Sequence, residues 1–198
     1  MTTNARQSVA PSQQSTQQSI ATGAVPPNTK LCVLGKFSRK TFKKGDVLSI
    51  PFHVANTNPN VNPTDRNLSF TSVGPAYSKR RMVVVLHIYQ QDMYYLPLYS
   101  FGRRGLAAKP EHLLKEYVCV ENWNSGGLLQ NPGKYRPVEV KMHRWPLTEE
   151  TAVALCGGVR VACCEDIGIV GRLTQRGYGD LVLLWEALMV AAQEEVWR

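Results

Sequence analysis

The sequence predicts a mainly β fold: a small SH3-like barrel of about six or seven strands with one long C-terminal α-helix packed on it. Two observations carry this expectation. Short runs rich in Val, Ile and Tyr, separated by Gly, Pro, Asn or Asp, recur between residues 30 and 165 with no helical period among them. From Asp180 onward the apolar residues take up helical spacing instead. A third observation bounds the size, because 198 residues of which 43% are hydrophobic suffice for one domain of about 150–170 residues and a tail.

In chain order, residues 1–29 (MTTNARQSVAPSQQSTQQSIATGAVPPNT) carry one charged side chain, Arg6, among Ser, Thr, Gln, Ala and Pro. Such a segment cannot bury enough apolar surface to offset the entropy of ordering, so it is expected to be a disordered tail. The single domain then spans 30–198. Strands are expected at KLCVLGKF (30–37), GDVLSIPFHV (45–54), RRMVVVLHIY (80–89) and MYYLPLYSF (93–101). Three more are expected at EYVCVEN (116–122), RPVEVKMH (136–143) and GVRVACCE (158–165), giving an antiparallel sheet or small barrel. Gln90, Gln91 and Asp92 separate two apolar runs and predict a hairpin over 81–101, with Pro97 marking an edge or a bulge. The Asn- and Pro-rich loop from Ala55 to Tyr77 is expected to be disordered in its first half. Leu181, Leu184, Trp185, Leu188 and Ala192 then predict a helix of about four or five turns with Asp180 as its N-cap. Val182, Leu183 and Val190 spread apolar character beyond one face, which suits either a wedge between elements or a homodimer contact.

Charge narrows the partners. Twenty-three Lys and Arg against fifteen Asp and Glu give +8, which favours nucleic acid, an acidic membrane surface or acidic protein. No run approaches a membrane span of about 18 apolar residues, and the first 29 residues lack the apolar stretch of a secretory signal, so an intracellular location, cytoplasmic or nuclear, is expected. The five cysteines (Cys32, Cys119, Cys156, Cys163, Cys164) then read as free thiols, with Cys119 and Cys156 packed in the core. Together with His143 three of them offer enough donors for zinc, but no C-x-x-C knuckle is present and adjacent Cys163 and Cys164 on a strand would face opposite ways. No metal or cofactor is expected. His53, His87, His112 and His143 stand outside any nucleophile motif, and no phosphate-binding loop or dinucleotide fingerprint appears. Asp46, following a glycine at a strand start, is expected to cap that turn.

The cations fall into three groups: Lys36, Arg39, Lys40, Lys43 and Lys44; then Lys79, Arg80 and Arg81; then Arg103, Arg104 and Lys109. A hairpin returns the chain to where it began, so the last two groups should meet at one end of the sheet as a positive pole. Arg103 and Arg104 sit between Gly102 and Gly105, where backbone can approach a ligand. Tyr77, Tyr99 and Phe101 stand near enough to stack on bases. The plainer explanation is that strand ends carry cations for solubility and against edge pairing.

Two resemblances follow from these residues. The succession GDVLSIPF, KRRMVVVLHIYQQDMYYLPLYS and GIVGRLTQRGYGDLVLLWEAL resembles, in pattern and order, the toxin barrels called MazF or PemK. That likeness implies metal-independent RNA cleavage at a groove between two subunits, with the catalytic arginine falling on Arg81 and the threonine position on Tyr99, beside Ser100. The chemistry needs a proton-transfer group and a cation facing the developing phosphorane charge. Arg81 suits the second task, whereas an unperturbed phenol, titrating near ~10, suits the first poorly. The segments LPLYSFGRRGL (96–106) and AKP (108–110) are similar to a fungal domain family of unknown function, with Arg103 and Arg104 in the two central positions of its Tyr-Gly-Gly-Gln-Gly-like loop. That likeness implies a fungal protein and supplies no activity.

The reading that results is a non-catalytic intracellular binding or adaptor module. Its pole of Lys79, Arg80, Arg81, Tyr99, Arg103, Arg104 and Lys109 meets nucleic acid or an acidic protein. The alternatives are a toxin-type endoribonuclease using Arg81 and Ser100, and a structural protein that oligomerises through the terminal helix.

Overall fold

The run MVVVLHI lies in β3 (Gly74–Ile88), and it is continuously apolar because both faces of that strand are covered. Val84 and Leu86 enter one core with Val47, Leu96, Leu98 and Leu181. Their neighbours Val83 and Val85 point the other way, into a second core with Leu48, Ile50, Met93 and Tyr95. The computed structural model describes residues 34–125 and 132–194, all within the compact unit Cys32–Arg198. The tail at 1–29 and the first half of the KLCVLGKF run lie outside the described residues, and the second half of that run forms no strand.

The fold is mainly β with one C-terminal helix, and its sheet has nine strands where six or seven were expected. Six expected runs are present: β1 (Asp46–Ala55), β3, β4 (Asp92–Tyr99), β5 (Tyr117–Asn122), β6 (Val138–Met142) and β8 (Val159–Ala162). Three were unexpected: β2 (Leu68–Thr71), β7 (Ala152–Ala154) and β9 (Gly168–Leu173). Each has weak strand chemistry, being short and exposed, built on alanine, or interrupted by glycine, and each is held by its neighbours instead. The order is β2-β3-β1-β9-β6-β5-β7-β4-β8, with β3 and β4 paired in addition. All pairs are antiparallel except β5 with β6, which run parallel, against the wholly antiparallel expectation.

The β3–β4 hairpin forms as expected, its turn closed by the Tyr89 N–H donating to Asp92 O at 2.8 Å. Pro97 corrects the edge reading. It pairs with Val83 on one side, while on the other β8 covers β4 only to Tyr95 and β7 begins at Leu98. The missing proline N–H thus falls where one partner strand ends and the next begins, in the interior of the sheet. The Asn-rich loop is also ordered in its first half, as a chain of Asx turns: Asn56, Asn58 and Asn62 accept from the backbone N–H two residues on.

The helix α1 (Gln175–Gln193) starts nearly two turns before the expected cap. Thr174 is the N-cap and accepts from the Gly177 N–H at 3.0 Å. Asp180 lies within the helix, 3.8 Å from Arg176 one turn away. The missed stretch is QRGYG, whose two glycines argue against helix locally. Gly177 is there for proximity: a Cβ would lie 2.6 Å from the Glu139 carbonyl oxygen of β6. That close approach seats Leu181 fully in the core and lets the Tyr178 hydroxyl donate to Leu86 O at 2.9 Å.

Candidate functional site

Alternation along β3 decides which cations can act together. Lys79 and Arg81 project from one face, opposite Phe52 and Ile50 of β1, while Arg80 and Met82 project from the other. Arg80 is taken up on its own side. Its guanidinium pairs with Asp166 at 2.7 Å and also donates to Ser49 O, Ser49 Oγ and Asp166 O. The expected pole therefore loses one of its three entry cations to a structural tie between β1, β3 and the turn before β9.

Arg81 has a different setting. The guanidinium lies 4.2 Å from the Tyr99 ring centroid and 4.9 Å from that of Phe52. Tyr99 stacks on Phe101 at 5.3 Å with 10° between planes, and Lys109 Nζ lies 4.4 Å from the Phe101 ring. The result is a row of side chains running across three strands and the following turn: Phe52, Arg81, Tyr99, Phe101, Lys109. Contact with ring faces leaves the in-plane N–H groups of a guanidinium available. One of them, Nη1, donates to Leu98 O at 3.3 Å, and Nε is buried with no hydrogen-bond partner.

Lys79, Arg80, Arg81 and Met82 of β3, with Tyr99 and Ser100, line a cleft of about 390 Å³ whose far wall is Pro146, Leu147, Thr148 and Thr151. No acidic side chain lines it. Burial, and then the charge of Arg81, lower the Lys79 pKa from its ordinary value. Two cations held together with no carboxylate between them constitute a site that an anion would relieve.

At the hairpin exit the chain turns through the left-handed region, with φ of 49° at Phe101, 67° at Gly102, 65° at Arg103 and 53° at Gly105. Positive φ at Phe101 and Arg103 is strained for side-chain-bearing residues. The turn is secured by the Gly105 N–H donating to Ser100 O and by Arg104 Nε donating to Phe101 O. Gly105 is required by proximity as well as by φ, because a Cβ there would lie 3.1 Å from that of Glu150. Arg103 and Arg104 stand exposed beside the cleft without lining it. Of the expected set, then, the structure brings Lys79, Arg80, Arg81, Tyr99 and Ser100 to one cleft, with the Arg80 guanidinium engaged by Asp166, attaches Lys109 through Phe101, and leaves Arg103 and Arg104 on the rim. Tyr77 is apart from the row, its hydroxyl donating to Asp65 and its ring 5.6 Å from Lys79 Nζ.

Next to the cleft lies a second hollow of about 630 Å³, which shares Met82, Pro146 and Leu147 with it. Met142, Trp145 and Ile169 make it predominantly apolar, and it too has no acidic side chain on its lining. Trp145 is 80% exposed. None of these residues belonged to the expected site. A sequence signal existed in the segment MHRWPL, where a tryptophan beside a proline follows a strand that has already ended.

Cys32 lies outside the described residues. Among the described residues no three His, Cys, Asp or Glu side chains gather as metal ligands. Cys119 is buried as expected, whereas Cys156 is exposed and donates to Glu116 at 3.4 Å. Cys163 is buried and Cys164 exposed, in the turn after β8 rather than within the strand. Burial is the main cause raising the thiol pKa of Cys119, Cys156 and Cys163. Asp46 does cap its turn, accepting from the Lys43 N–H at 2.7 Å. Among the described residues no helix is long and apolar enough to cross a membrane. No family model, curated protein or solved structure matches the chain.

Proposed function

We propose that this chain is a non-catalytic binding module, acting inside the cell, whose cationic cleft takes a polyanion, either nucleic acid or an acidic protein segment. The observation that carries the reading is the pairing of Lys79 with Arg81 in a cleft lined by no carboxylate, with Arg81 Nε left unpartnered. Lys109, Arg103 and Arg104 extend the same positive field beyond the cleft. The pairings also support reading the sheet as a barrel of the PemK type, since they run β3, β1, β9, β6, β5, β7, β4 and back to β3. Titration of salt against affinity, with a single-stranded oligonucleotide and with polyglutamate as probes, tests the proposal. Binding that strengthens as salt falls supports it, and absence of binding to both at low salt removes it.

A second reading is a metal-independent endoribonuclease, favoured by the fact that Arg81 and Ser100 line one cleft. It requires a general base, and the lining of that cleft contains no imidazole or carboxylate. RNA left intact by the protein in the presence of a chelator would exclude it. Oligomerisation through α1 is a third reading, motivated by Leu183 and Val190, exposed to 66% and 55% on the helix. Sedimentation as a strict monomer at high concentration would exclude that one.

A further inference from the structure

The row of rings in the cleft is unsuited to bases. Tyr99 is in contact with Arg81 and stacked on Phe101, and Phe101 in turn carries Lys109. What the site does offer is strand edge. β1 covers β3 from Ala76 to Val84 along one edge, so β2 and β4 must share the other. On that edge β2 reaches only to Tyr77, extended by the Ser78 N–H donating to Asn67 O, and β4 begins at Val83. Among the described residues no strand pairs with Lys79 to Met82 on this side, a stretch of roughly 13 Å at the rise of a β-strand. This uncovered stretch contributes all four of its residues to the wall of the cleft, and its last, Met82, also lines the apolar hollow.

We propose that the occupant is an acidic peptide segment, extended along β3 between β2 and β4, with an aliphatic or aromatic side chain in the hollow of Met82, Met142 and Trp145. The proposal rests on the polyanion reading above and specifies its partner. Backbone groups of the guest complete the uncovered edge, as in strand addition to an open sheet. Its carboxylates meet Lys79 and the free edge of the Arg81 guanidinium, which is aimed by Tyr99 and Phe52. Its apolar anchor covers Trp145, whose ring is otherwise exposed to water. Methionines on two sides of the hollow adapt to anchors of different shape.

The test uses the full-length protein and four labelled probes at low salt: a glutamate-rich peptide, the same peptide with one central leucine, that second peptide N-methylated at alternate residues, and an oligothymidylate of equal charge. The leucine-bearing peptide is expected to bind about tenfold more tightly than the plain one. N-methylation, which removes backbone donors without touching the protein, is expected to weaken it about threefold to tenfold. Trp145→Ala should abolish the gain from leucine while leaving the plain peptide unaffected. Equal affinity for the first two peptides, indifference to N-methylation, or tighter binding of oligothymidylate than of the leucine peptide each overturn the peptide assignment and leave the polyanion reading standing. Failure of all four probes overturns both.

Discussion

The guanidinium of Arg81 lies 4.2 Å from the ring of Tyr99, the residue that the toxin comparison would have needed as a small hydroxyl. In this fold Tyr99 is an orienting surface for a cation. Replacing it by leucine leaves the net charge unchanged but removes an interaction worth about 0.5–2 kcal/mol. Tyr99→Leu is therefore expected to weaken polyanion binding about threefold to tenfold, measured by fluorescence anisotropy, with no change in the number of cations present. Affinity equal to wild type would mean that Arg81 needs no such support.

Arg80 and Arg81 are adjacent in sequence and opposite in task. Arg80→Gln breaks a half-exposed pair with Asp166 and should cost no more than about 1 kcal/mol of stability while leaving polyanion affinity nearly unchanged. Arg81→Gln should do the reverse. Asp166→Asn releases the Arg80 guanidinium and is expected to raise affinity modestly. Denaturant unfolding and binding measured on the same three variants would separate the two roles.

Two glycines of the helix give a paired prediction. Gly177 meets the Glu139 backbone, so Gly177→Ala is expected to destabilise by about 1–3 kcal/mol through overpacking. A Cβ on Gly179 would meet nothing within 4 Å, so Gly179→Ala should stabilise by about 0.5–1 kcal/mol through helix propensity alone. Thermal unfolding of the two variants should move in opposite directions.

His87 supplies a pH dependence. Burial, followed by the charge of Lys44, holds its pKa below the ordinary value, partly offset by Glu186. In the window between the depressed folded pKa and the unfolded one, the unfolded chain binds more protons, so stability falls as pH drops below about 6.5. The ring packs 5.2 Å from Trp185 and 6.1 Å from Tyr94, so His87→Gln should lose stability at neutral pH. Its stability should nevertheless fall less steeply from pH 7 toward pH 5 than that of wild type, as read from urea midpoints. Parallel slopes would contradict the assignment.

Much of this architecture was legible in the residues, and the failures have physical causes. β-branched runs such as MVVVLHI announce a strand whatever surrounds them, and Gln90 to Asp92 announces a turn. Of the strands the residues do not announce, β7 and β9 are imposed by partners distant in sequence, whereas β2 is a short exposed strand folded back on β3 across two residues. The start of the helix was misplaced because Gly177 argues locally against helix and serves close packing on β6. At the site, the meeting of the hairpin ends was foreseeable from topology, as was the candidacy of Lys79 and Arg81. That Arg80 would be spent on Asp166 was not, since the two are brought together only by the β1–β9 pairing. Phe52, Met82 and Trp145 were likewise invisible as site residues, because an apolar side chain on a strand or loop reads as core until its exposure is known.

Polyanion binding at the Arg81 cleft is tested by the affinity of the full-length protein for polyglutamate as sodium chloride is varied, for wild type and for Arg81→Gln. Affinity is expected to fall steadily with salt in the wild type, with weaker binding and a shallower salt dependence in the variant. Binding that is absent at low salt, or identical in both proteins at every salt concentration, would contradict polyanion binding at this cleft.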